Sequence, residues 1–298
     1  DENRMSYALN TLAKHYVGLG KDEKVLQEAA KSYDLNAKAD MWKLPAMYVG
    51  EYAERDAEAT LKLWQRLNIE LHNQELMDVF NLETKLFPCL VDMRFKGVRV
   101  DLEHAAKLKK NLIVRENKIL SKIKELTGID VEIHAARSIA KAFDKLKLPY
   151  DRTEKSNEPS FTKNFLQNHP HELAKSIADA REINKAHTTF IDSITKHSHD
   201  GRIHADINQI RSDQGGTVTG RFSMSNPNLQ QIPARHPEIG PMIRSIFIPE
   251  EKTVWGSFDY SQQEPRILVH YAKLQNLEGV DEIVEAYNAG DADFHQVV

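Results

Sequence analysis

The sequence predicts an α+β fold in which helix dominates. Three observations predict it. Stretches at 51–78, 102–126 and 171–197 read as helix from their apolar spacing and composition. Residues 202–222 then change to Gly, Thr and alternating polar side chains, which is the pattern of short strands and turns. A short apolar run, TVWGSF at 253–258, stands just before a helix that Pro265 opens.

Taken in order, Tyr52, Ala59, Leu63, Leu67 and Leu71 repeat at helical spacing and define the first long helix. RFKGVRVD at 94–101 reads as a strand or turn about Gly97. The helix at 102–126 carries Leu108, Leu112, Ile119, Ile123 and Leu126 on one face and many lysines on the other, and Gly128 ends it. A shorter helix at 138–147 stops before Pro149, and 150–160 is a polar loop. Residues 171–197 are mostly helical. Four prolines make 226–241 extended and irregular, and 253–258 is expected to be a short buried strand. The last helix runs to about Leu274. No repeat or low-complexity tract interrupts the chain.

Composition narrows the function. With 298 residues, 41% of them hydrophobic, the chain has enough apolar material for one large core or several smaller ones. No apolar run approaches the ~18 residues of a membrane span. The lone cysteine, Cys89, excludes an internal disulfide framework and fits a reducing, cytoplasmic compartment. Any metal has to be held by carboxylates or histidines. The net charge of −4 hides an uneven distribution. Residues 101–200 hold 18 basic and 15 acidic side chains, and 202–249 hold five arginines against three acids. Residues 250–298 reverse this, with three basic and ten acidic side chains. A basic middle and an acidic end suit a protein that grips a polyanion and also binds cations, though windows of any protein fluctuate by a few charges. The chain opens at Asp1 rather than Met, and its last residues carry no helix-stop signal. Both features lead us to expect an internal segment of a longer protein.

Two segments carry candidate chemistry. Asp259 ends the expected strand and precedes a helix, in DYSQQEPR at 259–266. Open sheets place catalytic groups at such strand ends. A carboxylate there suits Mg²⁺, which takes one or two protein carboxylates along with waters and substrate phosphates. By itself the octet reads more simply as an N-cap or turn aspartate. The second segment is TVTGRFS at 217–223, followed by NPNLQQIPAR at 226–235. It offers Arg221 in a Gly-Thr turn, then Asn and Gln groups able to meet minor-groove acceptors and phosphates. Gly215 and Gly220 have P-loop spacing, but Arg221 and Phe222 stand where that loop needs Lys and Ser/Thr, so the reading fails. Alone, this segment reads as a polar surface loop.

In this order and spacing the two segments resemble the family A DNA polymerases, the bacterial DNA polymerase I type and its phage relatives. TGRFSMSNPNLQQIP resembles the family's TGRLS…PNLQNIP, and DYSQQEPR resembles its first palm motif, DYSQIELR. Gly201-Arg202-Ile203-His204, Phe95-Lys96-Gly97-Val98, the stretch from Ser138 to Pro149, and Asp293-Phe294-His295 resemble further family segments. Tyr52 and Asp56, four residues apart on one helical face, resemble the third motif of the adjoining 3′–5′ exonuclease domain. Gln263, Pro265 and Phe222 depart from the family's Ile, Leu and Leu, which points to a divergent, phage-like branch.

The resemblance implies a domain order. Residues 1–75 would be the C-terminal part of a ribonuclease H-like exonuclease domain, and 76–100 the palm base. Residues 101–197 would be the helical thumb and 198–265 a partial antiparallel palm, with 266–298 starting the fingers. It implies template-directed addition of dNTPs to a primer–template, with two Mg²⁺ ions. Asp259 would bind both ions and the Tyr260 carbonyl one, with the partner carboxylate outside this chain. Arg221 would reach the primer terminus, and Asn228 and Gln230 the primer–template. Arg235 and His295 would approach the triphosphate. Tyr260 and Gln262 would line the nucleotide site, and Gln262 would also meet DNA. Glu264 would be the gate against the 2′-hydroxyl. Tyr52 would orient a water and Asp56 ligate metal in the exonuclease. The implied location is the cytoplasm, the host's in a phage. Two alternatives stand beside this reading. One is a catalytically silent DNA-binding remnant, against which Asp259 and Glu264 both stand. The other is a single-subunit RNA polymerase, against which Glu264 stands.

Overall fold

The computed structural model describes residues 4, 6–213, 215–234 and 236–289. They fall into two compact units that divide between Ile248 and Pro249.

The first unit opens with α1 (Leu9–Val17) and α2 (Lys24–Ser32). α3 (Ala46–Asn73) begins after Pro45, five residues before the expected start, and ends before Glu75 turns to φ 55°. Leu26, Ala29, Ala30 and Leu44 make a small core on which Tyr48 and Tyr52 pack. α4 (Met77–Lys96) is a helix that sequence reading missed. Pro88 lies inside it, which argues against helix locally. Its apolar side chains also form no one-sided stripe: Leu90 is buried while Leu82, Phe87 and Val91 are exposed.

Gly97 turns the chain at φ 64° into β1 (Val98–Arg99). A Cβ there would stand 2.8 Å from the Ile203 carbonyl oxygen, so this close crossing requires glycine. α5 (Leu102–Thr127) has the expected ends. Asp101 caps it by accepting the His104 backbone N–H at 2.8 Å, and Gly128 closes it in the left-handed region. α6 (Ala136–Lys145) follows. The expected loop at 150–160 is a small hairpin, β2 (Asp151–Arg152) with β3 (Pro159–Ser160). Then come α7 (Lys163–Asn168) and α8 (Glu172–Lys185), a π-helical turn (Ala186–Ile191) and α9 (Asp192–Lys196). These last three run through the stretch expected to be helical.

β4 (Ser198–His199) and β5 (Arg202–Ile203) join β1 in an antiparallel sheet ordered β1–β5–β4. Val98 and Ser198 both pair with Ile203. β6 (Asp206–Asn208) and β7 (Ser223–Ser225) form a separate hairpin, with Ile207 opposite Met224. A 3₁₀ turn (Leu229–Gln231) and α10 (Ile239–Arg244) interrupt the stretch expected to be irregular. Two cores lie along the α5–α8 pair. One gathers Ile123, Ile139, Phe143, Leu166, Leu173 and Ile177. The other gathers Val100, Leu112, Ile183, Ile191, Ile203 and Ile243. Leu112 and Ile123 lie three turns apart on α5, so this one helix serves both cores.

In the second unit, α11 (Gln263–Leu274) packs on α12 (Val280–Ala289) through Val269, Val280 and Tyr287. The expected buried strand at 253–258 is overturned. The segment has no strand pairing among the described residues, and Val254 and Phe258 are 88% and 97% exposed. An apolar run becomes a strand only where a neighbouring ladder takes its N–H and C=O groups, and among the described residues no ladder pairs with this one. Cys89 is exposed and free, and among the described residues no helix is long and apolar enough to cross a membrane.

Candidate active site

The first unit holds Arg221, Asn228 and Gln230 on one connected piece of backbone. β6 and β7 are joined by a long loop in which Gly215, Gly216 and Gly220 all have positive φ. Gly216 is obligatory: a Cβ there would stand 2.3 Å from the Ile210 carbonyl oxygen and 2.5 Å from Arg211 Cα. The Thr217 hydroxyl donates to the Arg221 carbonyl at 2.6 Å, which closes the turn that presents the exposed Arg221 side chain.

The amides expected to meet DNA also brace this turn. Asn228 Oδ1 accepts the Gln230 backbone N–H at 3.0 Å and so caps the 3₁₀ turn. Gln230 Nε2 donates to the Phe222 carbonyl at 3.1 Å, one residue from Arg221. Each side chain keeps a further polar atom for a ligand while fixing the backbone beside the arginine. The 227–232 segment also lines a small cavity with Thr189, Phe190, Ser193 and Ile194, so it faces the π-helical turn and the start of α9. Beside the hairpin, Arg94 pairs with Asp206 at 2.7 Å, and Asp206 accepts from Asn226 Nδ2 at 2.9 Å.

The π-helical turn contains a buried polar pair. His187 Nε2 lies 2.5 Å from Glu116 Oε2 of α5, and Asn184 Nδ2 donates to Glu116 Oε1 at 2.9 Å. Both Glu116 and His187 are over nine-tenths buried. π-helical turns interrupt helices at the cost of poorer hydrogen bonding and collect at functional places. Here the turn pins α8 to α5 beside the Asn228 segment.

The lysine face of α5 is partly neutralised. Lys107 pairs with Glu103, Lys109 with Asp192, Lys122 with Glu172 and Lys124 with Asp130. Lys118 is exposed and carries no ion pair among the described residues. It lines a shallow groove with Asn117 and Ser121.

The charged segment before α10 is held to the same helices. Arg115 donates to both Glu238 carboxylate oxygens, at 2.6 and 3.0 Å. His236 Nε2 lies 2.9 Å from Glu182 of α8, which also pairs with Lys163 at 2.9 Å. Burial pulls the Glu182 carboxyl up, but Lys163 and His236 outweigh it and hold the group below its ordinary value.

The second unit holds Asp259, Tyr260, Gln262 and Glu264 within six residues. Asp259 and Tyr260 are exposed at the end of the extended segment. Gln262 enters the left-handed region at φ 53° and starts α11, and its side-chain oxygen accepts from the Tyr287 hydroxyl at 3.1 Å. Glu264 lies exposed in the first turn of α11. Arg266 donates to the Ser261 carbonyl at 3.0 Å and stacks over the Tyr287 ring. The turn between metal-type carboxylate and helix is thereby fastened to α12. The hard oxygens of Asp259 and the Tyr260 carbonyl are donors of the kind Mg²⁺ takes. Among the described residues no group of three His, Cys, Asp or Glu side chains could hold a metal by itself. Arg235 and His295 lie outside the described residues.

Tyr52 and Asp56 share one face of α3, as their spacing predicts. Sequence reading missed their partner. Lys21 Nζ donates to the Tyr52 hydroxyl and to Asp56 Oδ2, both at 2.8 Å. Burial lowers the lysine's proton affinity, but these two bonds outweigh it and raise its pKa above the ordinary value.

These elements match a known family. Residues 102–298 match the family model of DNA polymerase family A, and the chain belongs to that family. It is 37% identical over 297 residues to a DNA-directed DNA polymerase of Pseudomonas phage M6, covering 96% of this chain and 44% of that relative. It is 32% identical to the DNA polymerase DpoZ of Acinetobacter phage SH-Ab 15497, covering 100% of this chain and 51% of the relative. The chain thus spans about half the length of the curated relatives it matches. The fold is similar to part of the POL domain of Pol1 from M. smegmatis, solved in complex with DNA primer-template and dNTP. The TM-score is 0.72 at 23% identity, over 98% of this chain and 46% of that one.

Proposed function

We propose that these residues belong to a template-directed DNA polymerase that adds dNTPs to a primer 3′ end. Residues 101–197 act as its thumb, 76–100 and 198–265 as part of its palm, and 266–298 as the start of its fingers. The observation that carries this reading is the braced turn at 217–231. A family A chain that spends Thr217, Asn228 and Gln230 on fixing the backbone around Arg221 has an arginine preorganised for a polyanion.

Arg221 contacts the primer terminus, while Asn228 and Gln230 use their remaining polar atoms on primer–template. The exposed lysines of α5 hold duplex phosphates without reading sequence. Asp259 and the Tyr260 carbonyl would hold Mg²⁺, which supplies charge neutralisation and a polarised primer oxygen when bound. Asp259 is one carboxylate of the set this requires. Gln262 shapes the nucleotide site from its bond to Tyr287, and Glu264 occupies the space a 2′-hydroxyl would need. Arg235 and His295 meet the triphosphate. Residues 1–75 belong to an exonuclease-like domain, in which Tyr52 orients a water and Asp56 retains Oδ1 for a cation.

Single-turnover primer extension by the full-length polymerase carrying these residues tests the assignment. Asp259→Ala should abolish addition while primer–template affinity changes little, because the carboxylate acts on developing charge rather than on duplex grip. Arg221→Ala should slow addition by about 10²-fold, the size of one positioned charge-assisted contact. Equal and mild defects in both variants would refute the roles.

A further inference from the structure

We propose that Lys21 is a positioning residue of the exonuclease-like site, a role that rests on the exonuclease reading of Tyr52 and Asp56. The loop between α1 and α2 presents this lysine from a backbone held on two sides. The Lys21 N–H donates to Asn10 Oδ1 of α1 at 2.8 Å. Arg55 of α3, between Tyr52 and Asp56 in sequence, donates its Nε to the Gly20 carbonyl at 2.8 Å. The side chain then crosses to α3, with its ammonium 4.9 Å from the centre of the Tyr52 ring and 2.8 Å from both functional oxygens. One ammonium therefore fixes a phenol and a carboxylate that the helix alone only brings to the same face.

The proton count gives this bridge a function. An ammonium has only donors, so Tyr52 Oη is the acceptor in its bond with Lys21. The phenolic hydrogen is left to donate outward, to a water or to a phosphate oxygen at a DNA 3′ end. Asp56 commits Oδ2 to the lysine and keeps Oδ1. Lys21 thus sets which atom of each partner faces the substrate, and it adds a positive charge where a scissile phosphate brings negative charge. The substrate class is the single-stranded 3′ end of a polynucleotide. A purely structural ion pair would need neither the tyrosine contact nor the anchoring of both Gly20 and Lys21.

The test is 3′–5′ degradation of single-stranded DNA by the full-length polymerase, with primer extension and thermal melting as controls for folding. In Lys21→Met, kcat for degradation should fall about 10- to 100-fold while KM for DNA changes less than about 3-fold, as for a lost charge-assisted contact. Lys21→Arg should recover most of the rate, because it restores the donor and the charge. Tyr52→Phe combined with Lys21→Met should cost less than the product of the two single losses, since part of the lysine's effect runs through the phenol. If Asp56→Ala abolishes degradation and Lys21→Met leaves or raises its rate, the lysine role is overturned and the exonuclease site stands. If Asp56→Ala leaves degradation unchanged, the exonuclease reading itself fails. A loss in Lys21→Met that Lys21→Arg does not repair, accompanied by a lower melting temperature, would reduce the lysine to a fold-holding ion pair and overturn the proposal.

Discussion

Glu116 offers the most direct test of how the thumb-like helices are held. Truncating it to alanine removes the partner of His187 Nε2 and of Asn184 Nδ2 at once. His187 Nδ1 already has no hydrogen-bond partner among the described residues, so the variant leaves the buried ring bonded at neither nitrogen. Breaking a buried pair by deleting one member costs about 3–5 kcal/mol, most of it the desolvation of the stranded group. At ~2–4 °C per kcal/mol for a unit of this size, the melting temperature should fall by roughly 6–20 °C. The double variant Glu116→Met, His187→Leu replaces both members with apolar side chains of similar volume. It should recover much of the loss, because the buried imidazole is gone and the amide of Asn184, which is only half-buried, can turn to water. Calorimetry or circular dichroism on the unaltered protein, Glu116→Met, His187→Leu and the double variant, with Glu116→Ala beside them, measures this. If the double variant loses as much as the sum of the single changes, the pair is not a coupled buried unit and the argument fails. A loss below ~1 kcal/mol in Glu116→Ala would mean that water reaches the site.

Three further outcomes are expected. Glu264→Ala in the full-length polymerase should raise kcat/KM for ATP relative to dATP, since an apolar pocket rejects an added hydroxyl by only ~10²-fold; an unchanged ratio in single-nucleotide kinetics would remove the gate role. Glu182 titrates below its ordinary value in the fold, so its stabilisation is complete above the unfolded carboxylate pKa and is lost as pH falls through the folded one. Glu182→Gln should therefore flatten the loss of stability below about pH 4 in urea titrations; identical pH profiles would refute the contribution. Primer–template affinity should fall steeply with salt, with a slope of about 0.9 per phosphate neutralised, and Lys118→Gln should reduce that slope by close to one; fluorescence anisotropy showing an unchanged slope would remove Lys118 from the phosphate grip.

Local chemistry was legible in the sequence wherever neighbouring residues determine it. α5 could be read from its apolar period and its Gly128 stop, because a helix end is satisfied by residues adjacent in the chain. The expectation that a helix follows Asp259 held for the same reason, since Pro265 fits a first turn wherever the helix is placed. Tyr52 and Asp56 shared a face because four residues make about one turn. What the sequence left undecided depended on groups far apart in the chain. α4 persists despite Pro88, an instance of long-range structure overriding a local signal. The run at 253–258 has the composition of a buried strand but is exposed, because a strand is made by its ladder and not by its own side chains. Asn228 and Gln230 looked like ligand groups and proved also to brace the Arg221 turn, which only the folded path of 217–231 could decide. Lys21 carries no local signature of its contacts with Tyr52 and Asp56. Its ammonium meets Asp56, 35 residues away, only because α1 and α3 pack and hold the intervening loop between them.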